Sequence, residues 1–471
     1  MPPFWAAGLP PWGVVGGHLR GALDRCSPDL GLGDPLSHPP PAPVHASGGR
    51  DLTREVGGGR DWQADICHAY QIMSNNGIAD ENIIVMMYDD LAQSRMNPTP
   101  GKIINKPGGP DVYHGVPKDY TGRDVNAKTF LAVLGGDSEG VAHTTGSKKV
   151  LSPAPEDNVF VYFADHGGPG ILGMPSGGML HAKDLTDVLL KMSAKKSFNE
   201  LVFYVEACYS GTIFDGMIPK DSNIYVVTAA NTNESSWGYY CPGMTPAPPK
   251  GYNTCLGDLF SISFLENCDA NDLSHETLLA QYQEVKERTS QKGTYQQGSH
   301  VMQYGDTPID TETCNHFMGP KASGSFIQPV NDVYENAAVQ QYEADIISLR
   351  AVHEAAPEGP LKEEARAELE SELAHRERVD SAIERVVSAT LEYTNLLPSL
   401  IGQEAKAIFS EARPEGQPLV DDWACHKELI QNFEGACSPL GQYGMKHGRA
   451  FANVCNRGLA TAFNQAVAMA C

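Results

Sequence analysis

The sequence predicts an α/β protein whose mostly parallel β-sheet is flanked by helices and is followed by an all-α C-terminal region. Three short apolar runs predict strands, and none of them alternates apolar with polar residues: Val159–Phe163, Leu201–Val205 and Ile224–Val227. Strands of this kind are typical of parallel sheets that are covered on both faces. Helical patterns lie between apolar runs, which favours strand–helix–strand crossovers.

The chain opens with a segment of different composition, residues 1–60. This segment is rich in proline and glycine and has no apolar periodicity, so we expect it to be disordered. Residues 1–23 lack a basic start, and Pro10 and Pro11 interrupt their apolar residues. The sequence therefore contains no recognisable signal peptide.

The next elements follow in order. Residues 66–73 carry apolar side chains at helical spacing, and Gly77 can end a helix in the left-handed conformation. The run Ile83–Tyr88 is rich in residues that favour β-structure, so it predicts a strand. A helix is predicted between the strands Val159–Phe163 and Leu201–Val205, because one face of this segment is apolar: Leu185, Val188, Leu189 and Met192.

The C-terminal half changes character. Residues 61–319 carry the sheet pattern, residues 320–360 form an acidic connector, and residues 361–471 have helical patterns. One stripe of apolar residues stands among charges of both signs: Leu361, Ala365, Leu369 and Leu373. Such a charge pattern predicts a solvated helix face.

Composition excludes some functions. The chain has 471 residues, and 35 basic against 58 acidic residues give a formal net charge of −23. This charge repels nucleic-acid backbones and anionic membrane surfaces. No run of about 20 apolar residues occurs, so the sequence predicts no membrane span.

Polar residues follow two of the predicted strands. Asp165, His166 and Gly167 come after the first, and Glu206 and Cys208 come after the next. The spacing fits one strand–helix–strand crossover, so His166 and Cys208 should emerge at neighbouring strand tips on one edge of the sheet.

This arrangement suits nucleophilic catalysis. An imidazole can lower the pKa of a nearby thiol or accept its proton, and the resulting thiolate attacks a carbonyl. The N–H groups of Gly167 and Cys208 could form an oxyanion hole. A lone cysteine or histidine is usually structural, but the pairing at strand ends favours catalysis. A zinc site is less supported, because no CxxC or HxxxH motif accompanies either residue.

Several long motifs resemble the legumain family, also called asparaginyl endopeptidases or, in plants, vacuolar processing enzymes. The resemblance covers roughly residues 63–471. Besides the two blocks that contain His166 and Cys208, it rests on Gln63–Asp90, Asn97–Asn105, Val112–Gly122, Asn233–Gly243 and Pro418–Gly458, the last of which resembles the plant prodomain.

The resemblance implies a caspase-like cysteine protease that is made as a zymogen and cleaves protein or peptide substrates after Asn, or after Asp at acidic pH. It implies a thioester intermediate, a transpeptidase or ligase side activity, and no cofactor or metal. Cys208 matches the nucleophile, His166 the catalytic histidine, Gly167 the oxyanion-hole glycine and Asp165 the aspartate beside the histidine.

The resemblance also assigns a pocket for the Asn side chain. Glu206, Ser236 and Asp258 match its floor and wall. A carboxamide offers a donor and an acceptor, so an arginine together with carboxylates would satisfy both ends. An Asp side chain would have to be protonated to bind in the same way. Arg60 could supply the guanidinium if its loop shifts.

The sequence departs from the family just before Gln63. The family's orienting Asn falls on Gly59, its pocket Arg on Asp61 and its pocket His on Trp62. An interior strand of the family also has no counterpart, since nothing in residues 1–55 predicts one and Val14–Val15 is too short. A faulty or alternative translation start and a degenerate chain both explain this. If the chain is made as written, we expect poor folding and little activity.

The C-terminal region resembles a prodomain that caps the active site and is removed by self-cleavage in the connector. Candidate cleavage residues are Asn331, Asp332 and Asn336. Gln341 could sit in the Asn pocket uncleaved, as an autoinhibitor. We hypothesise that acid weakens the cap by protonating interfacial carboxylates.

The family pairs the four late cysteines as Cys425 with Cys455 and Cys437 with Cys471, although sequence alone allows three connectivities. Cys241 and Cys255 bracket a proline-rich loop that resembles the plant form. Disulfides imply a vacuolar, lysosome-like or secretory location.

Three rival functions remain. The catalytic subunit of the GPI transamidase shares the His-Gly and Cys blocks, but the prodomain-like Pro418–Gly458 argues against it. A noncatalytic homologue that acts as a binding protein is favoured by Gly59 and Asp61. A caspase proper is disfavoured, because Glu206 stands where caspases carry Gln.

Overall fold

The computed structural model describes residues 12–14, 60–319, 338–394 and 398–471, with the backbone alone for residues 12–14, 60, 61 and 398. The strands, numbered along the chain, are β1 (Trp12–Val14), β2 (Val159–Ala164), β3 (Gly167–Gly168), β4 (Ile171–Leu172), β5 (Leu180–His181), β6 (Leu201–Glu206), β7 (Ile224–Thr228), β8 (Trp237–Tyr239), β9 (Gly257–Asp258), β10 (Met302–Gly305) and β11 (Ala338–Gln340).

The helices are numbered in the same way. They are α1 (Arg60–Asn75), α2 (Ala127–Leu134), α3 (Ala182–Ala194), α4 (Gly211–Phe214), α5 (Leu259–Ala270), α6 (Leu278–Thr289), α7 (Asn315–Met318), α8 (Gln341–Ala355), α9 (Pro360–Glu392), α10 (Pro398–Ser410), α11 (Trp423–Ala436), α12 (Gly441–Gly444), α13 (Gly448–Asn456) and α14 (Ala460–Ala470). Short 3-10 helices occur at Asp80–Asn82, Gly122–Asp124, Thr307–Thr311 and Met445–His447.

The central sheet has the order β1-β2-β6-β7-β10. β1, β2, β6 and β7 are parallel, and β10 runs antiparallel to β7 at one edge. Helices cover both faces: the side chains of Cys67 and Phe264 belong to the core on one face, and Leu185 and Phe203 belong to the core on the other. The predicted fold class is therefore confirmed.

Two strand predictions are wrong. Ile83–Tyr88 forms no strand, because its backbone makes only an isolated bridge, Met86 with Tyr120, among the described residues. β-propensity alone cannot form a ladder without a neighbouring strand. Conversely, residues 1–55 do supply a strand, since Trp12–Val14 pairs in parallel with Val159–Val161. The predicted disorder of residues 1–60 is wrong there, and the rest of residues 1–59 lies outside the description.

The predicted connector is partly folded. Residues 320–337 lie outside the described residues, but β11 and α8 follow directly, and α9 begins at Pro360. Apolar contacts explain why this part of the connector is folded, because Ile346 and Leu349 of α8 are buried with Ala365 of α9. The helical region from Gln341 to Cys471 is called the cap below.

The apolar core of the cap includes Val386, Phe433 and Phe451, and Ile171 of the protease belongs to the same cluster. The predicted stripe on α9 is not a single face, because Ala365 is buried while Leu361 is 60% exposed. Among the described helices, none combines the length and apolarity needed to cross a membrane.

Candidate active site

The tips of β2 and β6 lie side by side. Ala164 is paired with Glu206, and the Asp165 N–H donates to the Glu206 carbonyl oxygen at 3.2 Å. A Cβ atom placed on Gly167 would stand 2.3 Å from the carbonyl oxygen of Cys208. The backbones that follow the two strands are therefore in contact, as the crossover spacing predicts, and only glycine fits at position 167.

Cys208 is 2% exposed. Its Sγ lies 3.1 Å from Ser235 Oγ and 3.6 Å from Ser236 Oγ. Burial raises the pKa of the Cys208 thiol, and the contacts with the two serines oppose this shift. The capped protein therefore favours the neutral thiol.

His166 is 3% exposed, and burial lowers its pKa to about 3. The ring of Trp62 packs perpendicular to the imidazole, with 4.1 Å between centroids. On the cap side, Asp345 Oδ2 lies 3.9 Å from His166 Nε2. The Asp165 carboxylate accepts a hydrogen bond from the His166 backbone N–H at 2.7 Å. The imidazole thus lies between a protease aromatic ring and a cap carboxylate, and burial keeps it neutral.

The predicted pocket residues lie near the thiol. Glu206 is fully buried, and its Oε2 accepts 3.0 Å hydrogen bonds from the N–H and hydroxyl of Ser261. Asp258, also fully buried, pairs in β9 with Gly238, which follows Ser236 by two residues. Buried carboxylates thus border a position next to Cys208. The side chain of Arg60 lies outside the description, so its role stays a prediction.

The segment before α8 lies along this pocket. β11 pairs antiparallel with β8, and the Gln341 N–H donates to the Ser236 carbonyl oxygen at 2.9 Å. A Cβ atom on Gly238 would be 2.9 Å from Gln341 Oε1. Gln341 is 1% exposed. This side chain therefore occupies space beside the predicted pocket residues. The candidate cleavage residues Asn331, Asp332 and Asn336 lie outside the described residues.

The cap also covers the glycine-rich turn after His166. A Cβ atom on Gly168 would be 2.0 Å from the Met445 carbonyl oxygen. One on Gly448 would be 2.4 Å from the Pro169 carbonyl oxygen. Because both contacts are to backbone atoms, the two glycines permit a close fit between the protease turn and the cap.

A cavity of about 850 Å³ lies beside the site. It is lined by Ile84–Tyr88 and Val161–Asp165 of the protease, by Trp62 and by the cap residue Asp345. Within the described residues, β1 pairs with β2 as far as Val161, which also lines the cavity.

The structure contains disulfides between Cys425 and Cys455 and between Cys437 and Cys471, the pairing that the resemblance implies. A third joins Cys241 to Cys255. Within residues 60–319, 338–394 and 398–471, no group of three or more His, Cys, Asp or Glu side chains could hold a metal ion.

Sequence reasoning missed two groups at the site, Ser235 and Asp345, and it placed Trp62 only where the family's pocket His falls, without predicting its contact with His166. Ser235 directly precedes the predicted pocket residue Ser236, and this position was a weak indication that Ser235 lies at the site. Trp62 and Asp345 come from segments far apart in the chain, and no spacing rule connects them with His166.

Comparison with known proteins agrees with this arrangement. The model of the peptidase C13 family matches residues 60–320, and the model of the legumain prodomain matches residues 367–471. The vacuolar-processing enzyme of Phaseolus vulgaris is 45% identical over 87% of this chain and 82% of its own. Legumain of Canavalia ensiformis is 46% identical over 85% of this chain and 82% of its own.

Among solved structures, caspase-1 from Spodoptera frugiperda matches with a TM-score of 0.27 and 15% identity, covering 42% of this chain and 71% of that chain. The fold, the site and the relatives define the class of protein: a cysteine endopeptidase joined to its own helical prodomain. The chain belongs to the peptidase C13 family, and its C-terminal region is a legumain prodomain.

Proposed function

We propose that the chain is the zymogen of an asparaginyl endopeptidase that uses Cys208 as nucleophile and His166 as general acid and base. The observation that carries the proposal is the backbone contact between Gly167 and Cys208 at adjacent strand tips. The contact supports the proposal because it joins the backbones of the two residues whose N–H groups are proposed to stabilise the oxyanion.

The reaction proceeds in two steps. The Cys208 thiolate attacks the carbonyl carbon that follows the Asn residue, and the N–H groups of Gly167 and Cys208 stabilise the oxyanion. His166 protonates the leaving amine, which yields a thioester. Water then hydrolyses the thioester after His166 removes its proton. A peptide amine in place of water gives transpeptidation.

Specificity follows from the charge of the pocket. Glu206 and Asp258 are buried carboxylates that can accept hydrogen bonds from the NH2 group of a carboxamide. An ionised Asp side chain of a substrate would be repelled by these carboxylates, and a protonated one would not. Cleavage after Asn should therefore extend over a wide pH range, whereas cleavage after Asp requires acid.

The cap acts as an intramolecular inhibitor in this proposal. Gln341 lies beside Ser236 and Gly238, where a substrate Asn would bind. α8 begins at Gln341, so the backbone turns into a helix instead of passing extended over Cys208. Burial under the cap also favours the neutral forms of Cys208 and His166. Both effects keep the capped protein latent.

Activation requires a cut in the connector, for which Asn331, Asp332 and Asn336 are the proposed positions. The vacuolar names of the relatives and the disulfides of this chain support a vacuolar or secretory location.

The test is turnover of an Ala-Ala-Asn fluorogenic peptide after acid treatment of the purified chain. Cys208→Ala should abolish turnover. Matched Ala-Ala-Asp and Ala-Ala-Gln peptides, assayed from pH 4 to pH 7, measure specificity. We expect Asn cleavage throughout and Asp cleavage only at the acidic end. Equal signals from the wild type and Cys208→Ala would instead support the noncatalytic homologue.

A further inference from the structure

A row of buried polar side chains connects helix α1 with one wall of the candidate substrate pocket. Asp258, one of the carboxylates proposed to bind the substrate carboxamide, is the last residue of β9 and directly precedes α5. The row consists of Asp65, Asn105 and His68, and all three are buried. None of them has a part in the chemistry proposed above. Their hydrogen bonds indicate that they determine where Asp258 lies.

Asp65 makes the direct contact with the backbone of Asp258. Its side chain is 0% exposed, and its Oδ2 accepts a hydrogen bond from the Asp258 N–H at 3.2 Å. Its Oδ1 accepts a hydrogen bond from Asn105 Nδ2 at 2.7 Å. A buried carboxylate is costly unless donors of this kind surround it. The position of the Asp65 carboxylate is therefore coupled to the position of Asp258.

Asn105 holds the residues just before Asp258. Its Nδ2 also donates to the Leu256 carbonyl oxygen at 2.9 Å. A Cβ atom on Gly257 would stand 2.6 Å from Asn105 Nδ2 and 2.7 Å from Asp65 Oδ1. Residues 256, 257 and 258 thus all contact the same two side chains. The backbone of β9 has little room to move relative to this pair.

His68 orients the amide of Asn105. Because Asn105 Nδ2 faces two acceptors, its Oδ1 is the atom that faces the imidazole, and His68 Nδ1 lies 2.7 Å from it. An amide oxygen can only accept a hydrogen bond, so this contact requires the proton on Nδ1. On the other side of the ring, His68 Nε2 lies 3.1 Å from Asp269 Oδ2. The imidazole therefore links Asn105 to Asp269.

The row extends along the whole of α5. This helix has 12 residues, so it is about 18 Å long. Asp258 directly precedes its first turn, and Asp269 belongs to its last turn. On α1, Asp65 and His68 are three residues apart and share one face. One face of α1 thus holds α5 near both of its ends, which fixes the helix along its axis.

We propose that Asp65, Asn105 and His68 hold Asp258 in the wall of the substrate pocket and thereby set the affinity of the pocket for a substrate Asn. This inference rests on the proposed function, because it concerns the pocket of that reaction. The Asp258 carboxylate can bind a carboxamide NH2 group only at about 2.7–3.2 Å, so a small shift of its backbone weakens the bond. The three side chains act through Asp258 and are positioning residues.

The expected effect falls on substrate binding more than on the chemical step. In the proposed complex, Asp258 contacts the side chain of the substrate Asn and not the scissile bond. Loss of such a contact raises KM and leaves kcat nearly unchanged. A general loss of folded protein would instead reduce the apparent kcat, so the two parameters separate a positioning role from a merely structural one.

Two substitutions of His68 test the inference. The amide nitrogen of an Asn side chain can stand where Nδ1 stands, whereas that of a longer Gln side chain stands near the place of Nε2. His68→Asn therefore keeps the donor to Asn105, and His68→Gln keeps only the contact with Asp269. With an Ala-Ala-Asn peptide after cap removal, we expect KM to rise about 5–30-fold in His68→Gln and less than about threefold in His68→Asn. In both variants kcat should change less than about threefold.

Gln71→Ala is the matched control. Gln71 lies on the same helix, and its Nε2 donates at 2.8 Å to the carbonyl oxygens of Val112 and His114, which are not part of the row. This substitution also removes side-chain hydrogen bonds from α1, but it should leave KM unchanged. A rise in KM as large as that of His68→Gln would show that any weakening of α1 has the same effect, and would overturn the inference.

A second measurement needs no turnover. Hydrogen exchange of the Asp258 N–H, measured in the Cys208→Ala chain, should be about tenfold or more faster with His68→Gln than with His68→Asn, because its acceptor Asp65 is released. Equal exchange in the two variants, or equal KM values, would overturn the inference. A wild type without protease activity would contradict the proposed function, and hydrogen exchange alone would then decide this inference.

If His68→Gln does not fold, nitrogen-15 NMR of the His68 ring in the Cys208→Ala chain decides. The geometry requires that Nδ1 carries a proton and donates it to Asn105. A ring whose Nδ1 carries no proton would overturn the inference.

Discussion

The N–H of Gln341 donates a hydrogen bond to the carbonyl oxygen of Ser236, which joins the cap to the candidate substrate pocket just before β8. The same glutamine then begins α8. A single residue therefore links occupation of the site with the start of the cap. We therefore expect the side chain of Gln341 to contribute to the latency of the zymogen in addition to the contribution of the other cap residues.

Replacing Gln341 by Ala should increase the rate at which iodoacetamide labels Cys208 in the uncut chain. The lost side-chain contacts stabilise docking by about 0.5–1.5 kcal/mol, so the expected increase is about 2–10-fold at pH 7. Gln340→Ala, in β11 but one position earlier, is the matched control and should have little effect. Equal increases in both variants would show that the side chain of Gln341 has no special role.

Gly448→Ala should loosen the cap without altering any protease residue. The new Cβ would lie 2.4 Å from the Pro169 carbonyl oxygen, and backbone cannot move aside cheaply. A cost of about 1–3 kcal/mol corresponds to roughly 5–150-fold faster labelling of Cys208. Gly435→Ala, on a cap helix where a Cβ meets nothing within 4 Å, is the control. Unchanged labelling in Gly448→Ala would show that this contact does not hold the cap.

The protease region should lose stability as pH rises, in part because of Glu276. Burial raises the pKa of this carboxyl from 4.5 to about 7, although Asn267 donates to it at 2.9 Å. Because the folded pKa lies above the unfolded one, the contribution is fully present below pH 4.5 and is lost as pH rises through 7.

The loss attributable to Glu276 between pH 5 and pH 8 is about 1–3 kcal/mol, after allowance for its partial exposure. Urea unfolding of the Cys208→Ala chain at the two pH values measures it. Glu276→Gln should reduce the difference, whereas the exposed Glu139→Gln should not. The same difference in all three chains would refute the assignment.

Trp62→Ala should reduce kcat/KM by about 10–100-fold after cap removal, mainly through kcat. The ring of Trp62 packs at 4.1 Å against His166, and its loss would let the imidazole leave the orientation required for proton transfer. Trp62→Phe keeps an aromatic contact and should lose less than about threefold. Equal losses in both variants, at unchanged melting temperature, would argue against a positioning role.

Much of the fold could be predicted because its strands are locally encoded. Val159–Phe163 and Leu201–Val205 are apolar throughout, and a parallel pair separated by one crossover brings their ends together. The contact between Gly167 and Cys208 follows from this rule. In contrast, Ile83–Tyr88 has strand-forming residues without a strand, because pairing depends on a neighbour that its own sequence does not specify.

The sequence by itself determined the strands β2, β6 and β7, the helical cap and the approach of the backbones that follow β2 and β6, since each depends on periodicity or on the order of neighbouring elements. Only the tertiary structure decided that Trp62 and Asp345 flank the imidazole and that the Met445 carbonyl of the cap packs on Gly168. Those contacts join segments distant along the chain. The low pKa of His166 also arises from burial in the folded protein, and no local pattern of residues specifies that burial.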